Sequence, residues 1–131
     1  MIKKLLSILV LSLLLSGSAF ANNLNGKQLE CVSSSSHLLG YEYYKFTNNK
    51  DVKYLYIHKK SLEVVEKLFE YKVFPTIIEI HWGDLKMETI SRKTLKTLSG
   101  DRCRIVKFDI KDHLKKQSNR LLEKTSKDNK I

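Results

Sequence analysis

Proline, glycine and cysteine are scarce in this chain of 131 residues, which has one proline, five glycines and two cysteines. The sequence contains no glycine-rich phosphate loop, no dinucleotide-binding fingerprint and no G-x-S-x-G nucleophile motif. With so few glycines, a binding loop built from glycine backbone is hard to assemble. We therefore predict that the protein is not an enzyme and has no cofactor.

Histidines are also few, and they are dispersed. The four are His37, His58, His81 and His113, and none of them pairs with another at the spacing of a metal site. His58 and His81 could meet across strands, but the sequence has no H-E-x-x-H motif and no clustered Cys/His spacing. We predict no metal site and interpret the four as ordinary surface or strand histidines.

An export signal occupies residues 1–21. Lys3 and Lys4 form a short cationic start, residues 5–15 form an apolar core, and Ala19-Phe20-Ala21 is an A-x-A cleavage site. The apolar core, about 11 residues long, is too short to cross a bilayer comfortably, so we favour a cleaved signal over a membrane anchor. We expect export to the periplasm of a Gram-negative bacterium.

The two cysteines, Cys31 and Cys103, both lie in the exported part of the chain. In an oxidising compartment such a pair predicts a disulfide, and the alternative is two buried thiols. The bond would enclose nearly the whole domain in a loop of about 70 residues. The chain-entropy model gives such a loop about 4 kcal/mol of stabilisation.

Short segments of alternating apolar and polar residues, separated by turn residues, predict strands through most of the exported chain. They cover residues 27–33, 41–46, 52–58, 76–82 and 102–108, and residues 86–92 and 93–98 are predicted as two short strands or one bent strand. Residues 61–74 fit both a helix and a strand, and we favour the strand because strands flank the segment on both sides. The sequence therefore predicts a mainly β protein, a single antiparallel small barrel or sandwich of about seven to eight strands.

A helix is predicted after this β domain of residues 22–108. Asp109 can cap a helix over residues 110–123, which has an incomplete apolar stripe beside many lysines. Residues 109–131 are thus a basic C-terminal helix and tail. We favour packing of this helix on the β domain; the alternative is peripheral attachment to anionic lipid.

The chain carries a formal net charge of +10 at neutral pH. Removing Lys3 and Lys4 from the 24 basic side chains leaves 22 against 14 acidic ones, a net charge of +8. Such a charge favours anionic envelope components as partners, although it also serves solubility alone, the simpler interpretation. Export makes nucleic acid an improbable partner, and we expect a monomer.

A group of features runs through residues 29–103. Leu29-Glu30-Cys31 begins it, the aromatic residues 41–46 follow, and Ile90-Ser91-Arg92-Lys93-Thr94-Leu95 precedes Cys103. In these features the chain resembles a large, loosely related group of small exported bacterial proteins for which no activity is established. The resemblance implies a β-rich barrel or sandwich of lipocalin-like size, and it does not include the basic tail.

Aromatic residues are too numerous for all of them to lie in the core of so small a domain. We predict that Tyr54, Tyr56 and Trp82, with Arg92, form a possible binding face; Arg92 is either paired at a rim or exposed on a turn. The protein is thus expected to be an exported binding or interaction module. The alternative is an envelope-associated structural or lysozyme-inhibitor-like protein, although the positive charge opposes binding to a basic lysozyme.

Overall fold

The computed structural model describes residues 24–33 and 40–128. They form one curled, half-barrel sheet of seven antiparallel strands and one helix. The strands are β1 (Gln28–Val32), β2 (Tyr41–Phe46), β3 (Asp51–Ile57), β4 (Val64–Val73), β5 (Ile77–Trp82), β6 (Leu85–Ser91) and β7 (Cys103–Ile105), and the helix is α1 (Ile110–Asp128). The sheet order is β6-β5-β4-β3-β2-β1-β7. The predicted mainly β class with a C-terminal helix is confirmed.

The ambiguous segment, residues 61–74, is a strand, as we favoured. β4 pairs with β3 through Val52 and Phe69 and with β5 through Tyr71 and Ile80. Phe69 is buried whereas its neighbour Leu68 is 63% exposed. This period-two alternation rules out the single helical face that would have buried both residues.

The two edges of the sheet are tied together by residues 95–98, which follow β6. On one side, the Leu98 amide donates to the Thr89 carbonyl of β6. On the other, the amide of Cys103 in β7 donates to the Leu95 carbonyl. Two isolated bridges, between Ile90 and Thr97 and between Lys96 and Arg102, lie in the same place. The connection between β6 and β7 therefore pairs with both strands and protects part of each edge.

The concave face of the sheet holds the main core and the disulfide. Cys31 on β1 stands opposite Cys103 on β7, and their sulfur atoms are bonded. The predicted disulfide is thus confirmed. Around it pack the buried side chains of the concave core: Leu24, Leu29, Tyr44, Phe46, Val52, Phe69, Tyr71, Ile78, Ile80 and Ile90.

The convex face is covered by α1. Ile110 and Leu114 pack against Leu55 and Ile57 of β3 and against Tyr43 of β2. The apolar stripe of the helix is therefore used within the fold, as the favoured interpretation predicted.

Polar contacts fix the position of α1. Asp109 caps the helix as predicted, with its Oδ1 3.0 Å from the Asp112 amide. The buried Ser118 hydroxyl donates to the Leu62 carbonyl at 2.6 Å. Glu66 of β4 accepts from Lys111 and lies 3.4 Å from Lys53, so it links the helix to the sheet. Partial burial works to raise the pKa of Glu66, but the hydrogen bonds from Lys111 and Lys53 outweigh it and lower the pKa.

Several boundaries differ from the sequence prediction. The helix continues to Asp128 rather than ending near residue 123, and β7 is only three residues long. Residues 93–98 do not form the predicted strand; they make only isolated bridges, and Leu98 is 85% exposed. The predicted signal at residues 1–21 and His37 lie outside the described residues. No helix in the described part of the chain is long and apolar enough to span a membrane.

Candidate functional site

Aromatic side chains converge on the concave face at the end of the half-barrel where β5 finishes. Tyr54 and Tyr56 share this face because they are two residues apart on β3, and Trp82 reaches it from the end of β5. We call this end the aromatic mouth and define it by the side chains of Glu42, Tyr54, Tyr56, Lys67, Trp82 and Glu88.

The rings form a continuous chain from the core to the solvent. Tyr54 stacks on Phe69 with the ring centres 5.2 Å apart, and Phe69 lies 5.8 Å from Trp82. Tyr56 lies 5.3 Å from Tyr54 on the other side. Trp82 is the outermost ring of the series and is 58% exposed, although the buried Ile78 and Ile80 lie on the same face of β5. The strand ends at this residue, so no further strand covers its outer surface.

Lys67 occupies the space between the two outer rings of the mouth. Its Nζ lies 5.7 Å from the centre of the Tyr56 ring and 5.8 Å from that of Trp82. Both distances are within the range in which an ammonium group is attracted to the face of an aromatic ring. The mouth thus already holds a primary ammonium group from its own chain.

Two carboxylates lie deeper in the mouth. Glu42 of β2 accepts hydrogen bonds from the Tyr54 and Tyr44 hydroxyls. Burial, reinforced by the charge of Glu42, raises the pKa of Glu88. Burial and Glu42 also raise the pKa of both phenols, so these tyrosines remain hydrogen-bond donors. The mouth therefore combines aromatic faces with negative charge, an arrangement suited to cationic groups.

Arg92 does not join the aromatic residues of the predicted binding face. Its amide donates to the Thr76 carbonyl, just before β5 begins, whereas Trp82 ends that strand. At about 3.3 Å per residue the two are about 20 Å apart. The Arg92 guanidinium donates from Nη1 to the Phe74 carbonyl at 2.9 Å, the pairing at a rim that the sequence left open. The predicted face is thus divided between the two ends of the half-barrel.

His58 and His81 each have separate polar contacts. The His58 ring accepts from the amides of Lys60 and Ser61 in the turn after β3. His81 on β5 lies 3.0 Å from Glu79. Among residues 24–33 and 40–128, no three His, Cys, Asp or Glu side chains are grouped so that they could hold a metal ion.

Sequence reasoning missed Glu42, Lys67 and Glu88. Strand alternation gave a signal for two of them. Glu42 lies two residues before Tyr44 and Glu88 two residues before Ile90, so each pair shares one face of its strand. Alternation also puts Lys67 on the face of Phe69, but its place in the mouth depends on strand register, which sets it opposite Tyr54 in the β3–β4 pair. No pattern within a single segment reveals that partner.

Comparison of the chain with protein-family models, with curated proteins and with solved structures gives no match. The function proposed below therefore depends on the geometry of the mouth.

Proposed function

We propose that this protein is an exported binding module of the periplasm whose site is the aromatic mouth. The observation that carries the proposal is the solvent exposure of Trp82 beside a held ammonium group. Tryptophan is enriched among the residues that contribute most to binding energy. At 58% exposure, Trp82 offers a large aromatic surface to a partner.

The chemistry of the mouth favours a ligand with a primary ammonium or guanidinium group. Lys67 shows the position that a cation takes between Tyr56 and Trp82. A ligand cation would displace Lys67 and gain the attraction of Glu42 and Glu88. Cation–aromatic contacts contribute about 0.5–2 kcal/mol each, depending on desolvation. Independently of the mouth, the overall positive charge attracts the protein to anionic envelope surfaces.

Intrinsic fluorescence tests the site directly because Trp82 is the single tryptophan of the chain. The probe is tetralysine, with tetraglutamate as the opposite charge. We expect saturable fluorescence change with tetralysine alone, and weaker binding in the E42Q/E88Q variant. E79Q is the matched control, since Glu79 lies on the same sheet but bonds His81 on the other face. A response to neither peptide, or an equal response in E42Q/E88Q, would refute the proposal.

Export is tested by fractionation. The proposal requires protein released by osmotic shock, with Asn22 as its first residue. Retention in the cytoplasm with an intact N-terminus would contradict it.

A second candidate is an envelope-associated, lysozyme-inhibitor-like protein. The net charge opposes a basic partner, but the mouth contains the carboxyl groups of Glu42 and Glu88. Inhibition of lysozyme at low salt, lost in E42Q/E88Q and retained in E79Q, would favour this candidate. Absence of inhibition at low salt would remove it without affecting the binding of tetralysine.

A further inference from the structure

A second concave site lies at the other end of the half-barrel, where β5 begins. It is a cavity of about 180 Å³, bounded by the turn that enters β1 and by the segment that follows β6. Its lining is mostly apolar and consists of Leu24, Leu29, Phe46, Ile78, Leu95 and Ile105, with Lys27 and Arg92. Leu24, Leu29, Phe46 and Ile78 are buried, whereas Ile105 is 54% exposed at the opening.

Backbone contacts hold this cavity in shape. The Leu24 amide donates to the Tyr71 hydroxyl at 3.1 Å, which fixes the entering turn over the core. The Gly26 amide donates to the Phe46 carbonyl, and the Phe46 amide donates to the Lys27 carbonyl. Leu95 has a positive φ of 55°, a conformation that is costly for leucine. The cavity wall near Arg92 therefore includes a residue whose unusual backbone conformation is held by the surrounding structure.

The charges of this cavity are of one sign. Both charged residues that line it, Lys27 and Arg92, are cationic, and no carboxylate is among its described lining residues. The guanidinium is oriented by its bond to the Phe74 carbonyl. Arginine presents several donors in a planar fork that matches a carboxylate. An apolar cavity beside such a group fits a molecule with an apolar body and one anionic end.

We propose that this cavity binds a small carboxylic acid with a short acyl chain or a single ring. The carboxylate would lie at Arg92 and Lys27, and the apolar body would lie against Phe46 and Ile78. An apolar cavity of about 150 Å³ is large enough to bind benzene, so the volume suits a body of about six carbons. The site is separate from the aromatic mouth and does not depend on the function proposed for it.

Hexanoate and hexan-1-ol are the test probes, applied to the mature oxidised protein. Titration followed by amide NMR should show saturable shifts at Leu29, Phe46 and Ile78 with hexanoate. R92Q should weaken hexanoate binding about tenfold, because a charge-assisted hydrogen bond is lost, and should leave hexan-1-ol unchanged. R102Q makes the same charge change outside the cavity lining and should bind hexanoate as the wild type does.

A second variant keeps the test independent of Arg92. I105W places a large ring at the exposed opening and should reduce binding of both probes. Trp82 fluorescence should not respond to hexanoate in the wild type, because that residue lies at the other end of β5. Equal hexanoate affinity in R92Q and the wild type, shifts centred on Trp82, or no saturable binding at millimolar hexanoate would each overturn the proposal.

Discussion

Cys31 and Cys103 stand directly opposite each other on β1 and β7, with their Cα atoms 4.0 Å apart and their sulfur atoms bonded. The bond joins strands that are 72 residues apart in the chain. Cys31 is fully buried in the concave core. The disulfide therefore connects the first strand of the meander to the last strand of the sheet.

Replacement of both cysteines by alanine should strongly destabilise the fold. The chain-entropy model predicts a loss of about 4 kcal/mol for a loop of this length. Urea unfolding of the double variant and of the oxidised wild type measures the difference. Unchanged midpoints would show that β7 is held by its backbone pairing alone.

Glu88→Gln should stabilise the protein at neutral pH. The pKa of Glu88 is raised in the folded state, mainly by burial, so the fold favours the protonated carboxyl. Well below pH 4.5 Glu88 is protonated in both the folded and the unfolded protein, and its ionisation costs no stability. As the pH rises above 4.5 and through the folded pKa, ionisation of Glu88 lowers the free energy of unfolding. Glutamine remains neutral across this range.

The measurement is the melting temperature of E88Q and the wild type as a function of pH. We expect E88Q to melt higher at neutral pH and the two curves to meet below about pH 4. A lower melting temperature for E88Q at neutral pH would contradict the raised pKa.

Ser118→Ala should lower the free energy of unfolding by about 1 kcal/mol. The variant removes a buried hydrogen bond between α1 and the Leu62 carbonyl, which is the polar link between the helix and the turn before β4. Thr125→Ala is the control, since the exposed Thr125 hydroxyl donates to the Leu121 carbonyl of the same helix. Equal effects of the two substitutions in chemical denaturation would mean that the Leu62 contact contributes nothing.

Arg104→Ala should destabilise the protein more than Arg102→Ala. Glu30 is only 8% exposed and accepts from Arg104 Nε at 2.7 Å and from the Tyr43 hydroxyl at 2.9 Å. Loss of Arg104 leaves this buried carboxylate without its cation, a costly arrangement. Thermal melts of the two variants compare the same charge change two residues apart, and a larger effect of Arg102→Ala would contradict the expectation.

Strand alternation was the most informative signal in the sequence. Tyr43 and Tyr44 are adjacent in a strand, so alternation puts them on opposite faces, and the structure has Tyr44 in the concave core and Tyr43 under α1. For residues 61–74 periodicity fitted both a helix and a strand, and the flanking strands favoured the strand that the structure shows. The strand predicted for residues 93–98 was wrong, because a short alternating segment between turns does not show whether it has a full-length partner strand.

The candidate site was predicted only in part. Tyr54 and Tyr56 belong to one strand, so their common face follows from their spacing. The position of Lys67 over Tyr56 and Trp82 depends on the register of β4 and on the path of β5, neither of which can be derived from the residues themselves. Arg92 was grouped with the aromatic residues for the same reason, since residue types do not show at which end of a barrel a turn lies.

The amino-acid sequence by itself determined the mainly β class, the single possible pairing of two cysteines and the helix cap at Asp109, because short-range periodicity, the count of thiols and capping are properties of the chain. The tertiary structure alone decided which strand ends meet. It placed carboxylates beside aromatic rings at one end of the half-barrel and cations beside an apolar cavity at the other, because curvature and register bring together residues that are far apart in the chain.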